Sequence, residues 1–160
     1  MAIEERLLAL GIALPPAHRF PNANRTGCVR AAGLLFVSGH PPAALPGIAM
    51  RGKVADDVPE DRAVEAARAA ALNILATVRQ ELGSLDQVRR IVKVFGMVNS
   101  SPGFERQFAV IDGASDLFLS LWGQERGRHA RSAVGLAELP RGIPVEIEAV
   151  LEIEDRKVES

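Results

Sequence analysis

Apolar residues recur at helical spacing over one long stretch, where Val64, Ala67, Ala71, Ile74, Val78 and Leu82 fall on a single face. This predicts a helix from about Pro59 to Leu82. Asp57 is placed to cap it, Pro59 falls in the first turn where a missing N–H costs little, and Gly83 ends it. A second helical region runs from Phe104 to about Trp122. Phe104, Phe108 and Ile111 share a face there, and Leu117, Phe118 and Leu121 continue the burial beyond a break expected near Gly113. Residues 3–10 suit a short N-terminal helix closed by Gly11.

Elsewhere the pattern alternates or is apolar throughout. Cys28–Ala31 and Leu34–Ser38 predict two strands around a tight Ala32-Gly33 turn, and a short strand is expected near Met50–Val54. Ile91–Val98 predicts an interior strand, with Gly96 marking a bulge or a close approach by another segment. Before it, Ser84 to Gln87 has the form of a capping box for one further turn. The last two strands are Ser132–Leu136 and Val145–Ile153, with Pro140, Gly142 and Pro144 shaping the turn between them.

The final strand sorts cleanly. Val145, Ile147, Ala149, Leu151 and Ile153 point one way, while Glu146, Glu148, Val150 and Glu152 point the other. Two helices can cover only one face of such a sheet, yet Leu34–Val37, and Ile91-Val92 with Val94-Phe95, are apolar on both. The second face must also be buried, and another copy of the chain is the simplest cover. The expectation is one α+β domain over residues 1–160 that assembles with itself.

Composition narrows the possible functions. With 160 residues, 48% hydrophobic and 24% charged, the chain is that of an ordinary globular domain. A net charge of −1 leaves no electrostatic footprint for nucleic acid. Cys28 is the single cysteine and lacks a neighbouring His, so it reads as a small strand residue. The N-terminus carries Glu4 and Glu5 with little apolar length, unlike a signal peptide, and no apolar run suits a bilayer, so a cytoplasmic location is expected. His18, His40 and His129 are scattered, so no metal site is expected. Dinucleotide, Walker and GxSxG motifs are missing, and no cofactor is expected.

The remaining chemistry lies in Arg128 to Gly135, where Arg131 opens a strand beside small residues. An arginine fork can hold a carboxylate by two hydrogen bonds. Fifteen residues later Glu146 faces the sheet side away from the helices. Spacing alone leaves two readings open: a hydrolytic pair in one cleft, or a structural Arg–Glu ion pair.

The run Arg131-Ser132-Ala133-Val134-Gly135-Leu136, Leu139-Pro140 and Val145-Glu146-Ile147-Glu148-Ala149 resembles the C-terminal signature of the RidA/YjgF family. Leu35-Phe36-Val37-Ser38-Gly39 is similar to its first long strand, and Val92–Val98 to its strand after the long helix. The resemblance covers roughly residues 25–152, leaving residues 1–24 as an N-terminal extension with a short helix. It implies a chorismate-mutase-like fold: a mixed six-stranded sheet, two main helices on one face, in a homotrimer. It also implies hydrolytic deamination of reactive 2-imino or enamine acids to 2-oxo acids and ammonia. Arg131 would hold the carboxylate and Glu146 would orient water.

Gly39 and the backbone at Ala133 would line that pocket, with Arg25 and Asn99 as further candidates for substrate contact. The rim departs from the family pattern. Arg25 stands where many members have Tyr, His40 stands where Gln often follows Ser-Gly, and the chain has no Tyr. These features resemble a longer-chain branch. Two other functions compete: a non-catalytic trimer that binds small carboxylates, and an endoribonuclease. Near-zero charge and the missing tyrosines weigh against an RNA groove, and His129 is expected as a solvent-facing loop residue.

Overall fold

The computed structural model describes residues 1–154. Three helices and five strands follow in the order α1 (Ile3–Ala9), β1 (Cys28–Ala31), β2 (Leu34–His40), α2 (Glu60–Leu82), β3 (Val88–Asn99), α3 (Gln107–Gly127), β4 (Ala130–Leu136) and β5 (Val145–Ile153). The strands form one mixed sheet in the order β1-β2-β5-β3-β4, parallel only between β3 and β4. The sheet therefore has five strands among the described residues, not six. The strand expected at Met50–Val54 is reduced to single bridges from Val54 to Val58 and Ser100. That segment turns instead at Gly52 (φ 125°) and Ala55 (φ 90°), which prevents an extended run.

Alanines let α2 lie close to the rest of the core: Ala63, Ala66, Ala67, Ala70 and Ala71 are all fully buried beside Ile74, Leu75 and Val78. Gly83 takes a left-handed conformation and its N–H closes on the Arg79 carbonyl. Asp57 does not cap this helix. Its carboxylate accepts from the Lys53 backbone N–H at 2.8 Å, and Pro59 occupies the cap position without a side-chain bond.

In α3 the expected break at Gly113 is absent. A Cβ there would strike the Val64 carbonyl of α2, so the glycine marks a close helix crossing rather than a helix end. The irregular residue is Gly123, at φ 72° and ψ 179°. Phe108 also departs from the expected core face and is half exposed, while Val110 and Ile111 are buried. Gly96 proves to be a close approach, since a Cβ there would meet the Ile111 side chain. The irregularities of β3 lie earlier, between Val88 and Lys93.

The short helix α1 is held from outside itself. Asp86 accepts from the backbone N–H groups of Ile3 (2.6 Å) and Glu4 (3.1 Å), an acceptor at the positive end of the helix. Ile3 and Leu7, one turn apart, are both buried. The β1–β2 hairpin closes through Ala32 (φ 50°) and Gly33 (φ 74°), two left-handed residues matching the twist of the strands.

Both long helices cover the same face of the sheet. On the opposite face Val29, Phe36 and Leu136 stand exposed, and Leu34, Phe95, Met97, Val134 and Val150 are only half covered. One chain thus leaves an apolar sheet face open, as the two-sided pattern of β2 and β3 requires.

Candidate functional site

Glu146 lies on the open face of β5, opposite Met97 of β3. The register between β2 and β5 slips between Val37 and His40, and this brings Gly39 against Glu146. A Cβ at Gly39 would lie 3.0 Å from the Glu146 carboxyl carbon and collide with its oxygen, so the glycine lets the carboxylate lie where it does, and a larger residue would displace it. Burial and the neighbouring Glu148 hold the Glu146 carboxyl above its ordinary pKa, while Arg25 draws it partly back. Arg25 therefore stands within electrostatic reach of Glu146. It lines a cavity of about 730 Å³ with His18, Phe20, Thr77, Gln80 and Glu81.

His40 closes the inner side of this region and is fully buried. Its Nδ1 is 2.6 Å from the Ser38 carbonyl and its Nε2 is 2.8 Å from Thr77 Oγ1. A neutral ring donating through Nδ1 and accepting through Nε2 satisfies both, which ties β2 to α2. Burial lowers its pKa to about 4. Between the ordinary value near 6.5 and about 4, the unfolded chain therefore binds the proton that the folded chain refuses. The neutral ring's contribution is complete above the unfolded value and declines as the pH falls through that window, by about 3 kcal/mol in all. The urea midpoint should drop between pH 7 and 4.5, and His40→Gln should flatten that drop. An equally steep drop in the variant would assign the acid sensitivity to other groups.

Arg131 occupies the other face. It pairs with Val94 across β3–β4, a residue buried beneath the helices, and its guanidinium turns to α3. Its Nη1 donates to Asp112 Oδ1 at 2.7 Å and to Ser115 Oγ at 3.0 Å, and its Nη2 donates to the Phe108 carbonyl at 3.3 Å. Ser115 Oγ also lies 3.0 Å from His129 Nε2, whose Nδ1 is 2.7 Å from the Gly127 carbonyl. His129 is thus a half-buried member of this chain of contacts and not a solvent-facing loop residue. Burial, with Arg131 adding to it, lowers its pKa.

One chain does not bring Arg131 and Glu146 into a single cleft, because they project from opposite sheet faces. Nor do they form an ion pair, since the partner of Arg131 is Asp112. Ala133 sits on the helix side opposite Gly96, in β4, whose outer side pairs with no strand among the described residues. Asn99 is buried at the end of β3, where its Oδ1 accepts from Lys53 Nζ at 2.9 Å. Sequence reasoning missed Asp112, Ser115 and Lys53. Asp112 and Ser115 are three residues apart on α3, a spacing that shares a helix face, but nothing local connects that face to Arg131.

Cys28 is buried and its thiol is pushed up to about 11 by that burial, consistent with an unreactive strand residue. No described helix is long and apolar enough to cross a membrane.

A mixed sheet backed by two helices, with Arg131 on its edge strand and Gly39 packed on Glu146, defines the class. Residues 4–141 match the family model described as "YjgF/chorismate_mutase-like, putative endoribonuclease", and the chain belongs to this YjgF/RidA-like family. The match takes in the N-terminal helix as well. Protein TCP17 of Trypanosoma cruzi is 43% identical over 151 residues, 94% of each chain. Among solved structures, Atu1372 from Agrobacterium tumefaciens, a protein of unknown function, is 45% identical with a TM-score of 0.85, over 95% of this chain and 92% of that one. A Shewanella oneidensis protein bearing the same endoribonuclease description is 27% identical with a TM-score of 0.88, over 96% and 100%.

Proposed function

We propose that this protein hydrolyses reactive 2-imino acids, or the enamines that tautomerise to them, to 2-oxo acids and ammonia. Arg131 fixes the substrate carboxylate, with backbone at Ala133 alongside. Glu146 orients the attacking water beside Gly39. Water oxygen bonds to the imine carbon while Glu146 takes a water proton and passes it to the nitrogen, giving the carbinolamine; Glu146 then carries the hydroxyl proton to the nitrogen as the C–N bond breaks, so that ammonia leaves and the C=O forms. Positioning does most of the work, because the imine is already reactive.

The observation that carries this reading is the pairing of Gly39 with a half-buried Glu146 whose carboxyl is held above its ordinary pKa. Such a group holds a proton more readily than an ordinary carboxylate, which suits it to accept one from water and return it to a leaving amine. Because Arg131 and Glu146 lie on opposite faces, the cleft combines Arg131 of one copy with Glu146 of a neighbour. The uncovered apolar face supports self-association, and a homotrimer is the arrangement we favour. Size exclusion with light scattering should give three times the chain mass. A stable monomer at micromolar concentration would sink the shared cleft.

The decisive test of activity is ammonia release from imines made in situ by an amino-acid oxidase, across several side chains. Acceleration over the protein-free rate is expected. A second reading, a trimer that binds small carboxylates without turnover, is favoured by one observation: three of the five N–H donors of Arg131 are already engaged within the chain. It predicts saturable binding with no acceleration. The endoribonuclease description of the family finds less support in this chain, whose net charge is −1.

A further inference from the structure

Asp112 and Ser115 hold Arg131 in different ways. The ion pair with Asp112 is a single 2.7 Å contact, with the Arg131 side chain 23% exposed and that of Asp112 49% exposed. Ser115, by contrast, is buried and anchored in turn. With His129 Nδ1 donating to the Gly127 carbonyl, Nε2 is left to accept the Ser115 hydroxyl proton, and the serine oxygen is free to receive Arg131. Together with the Phe108 carbonyl, this keeps the guanidinium in place without Asp112. The carboxylate of Asp112 is therefore the one partner Arg131 can lose cheaply, since an ion pair with one partner half exposed contributes little.

We propose that Asp112 is a tethered carboxylate that changes partners when ligand binds, and that the site selects molecules with a carboxylate beside a cationic nitrogen. The ligand carboxylate takes the place of Asp112 on Arg131, and the released Asp112 takes the ligand nitrogen. The class is 2-iminio acids and amino acids, in preference to 2-oxo acids. This rests on Arg131 being the carboxylate holder. A ligand carrying only a carboxylate leaves two negative groups beside one arginine, whereas a cationic nitrogen balances the second. After hydrolysis the nitrogen is gone, so Asp112 returns to Arg131 and helps expel the 2-oxo acid.

The test is calorimetric titration of 2-aminobutanoate and 2-oxobutanoate into the full-length wild type, Asp112→Asn, Asp112→Ala and Arg131→Ala. Both Asp112 variants should bind the oxo acid about 3–5-fold more tightly, as the competing ion pair is removed. They should bind the amino acid about 5-fold or more weakly, as a charge-assisted contact is lost. Arg131→Ala should bind neither. Oxo-acid binding that is unchanged or weaker in both Asp112 variants, or amino-acid binding left at the wild-type level, overturns the exchange while leaving the role of Arg131 intact. Wild-type affinities retained by Arg131→Ala overturn that role itself. Binding of neither ligand by the wild type overturns both.

Discussion

Arg131→Ala should remove imine hydrolysis while leaving the protein folded and assembled. In the ligand-free chain the arginine makes one half-exposed ion pair and two further hydrogen bonds at the sheet edge, so its truncation costs little stability. Its loss to a bound carboxylate is larger, on the order of 2–5 kcal/mol, because the ligand charge is left unpaired in a desolvated cleft. Steady-state kinetics on imines generated in situ would show this as a collapse of kcat/KM, with the urea midpoint close to that of wild type. Arg131→Lys should recover little. One ammonium cannot serve Ser115, the Phe108 carbonyl and a carboxylate in the flat geometry of the guanidinium. A variant that unfolds instead, with no change in ligand affinity beforehand, would mean that Arg131 is there only for the Asp112 contact.

Glu146→Gln should lower turnover by about 10²–10⁴ if its carboxylate handles the proton of the attacking water. The substitution keeps the shape that fits over Gly39 and removes the basic oxygen. Carboxylate binding through Arg131 should survive, so a competing 2-oxo acid should inhibit the variant and the wild type alike. The base must be ionised, and burial with Glu148 raises its pKa. Wild-type turnover should therefore fall on the acid side at a higher pH than an ordinary carboxylate would give, and that limb should vanish in the variant. Glu148→Gln provides the contrast. Glu148 shares the face of Glu146 but is exposed and lies opposite Phe95, and the side chain that meets Gly39 is that of Glu146. Its substitution should affect assembly more than turnover. Loss of turnover in Glu148→Gln with full activity in Glu146→Gln would place the base one pleat away.

Much of this was written locally in the chain. The alternation along Val145–Ile153 places Glu146 on the open face whatever packs behind it, because successive strand side chains must point to opposite sides. The stripe from Ala67 to Leu82 sets the buried face of α2 in the same way, and the motif residues identify the family before any contact is known. What the local pattern could not contain was how separate segments meet. Gly113 reads as a helix break from propensity alone, yet the nearby Val64 carbonyl makes it a crossing point. Met50–Val54 reads as a strand, but left-handed turns at Gly52 and Ala55 keep it out of the sheet. Arg131 is legible as a fork awaiting a carboxylate. That Asp112 already pairs with it, and that Glu146 stands on the far side of the sheet, depends on the parallel pairing of β4 with β3 beneath α3. Strand periodicity is set by each residue's own backbone, while ion pairs and shared clefts are set by distances between segments that only the folded chain defines.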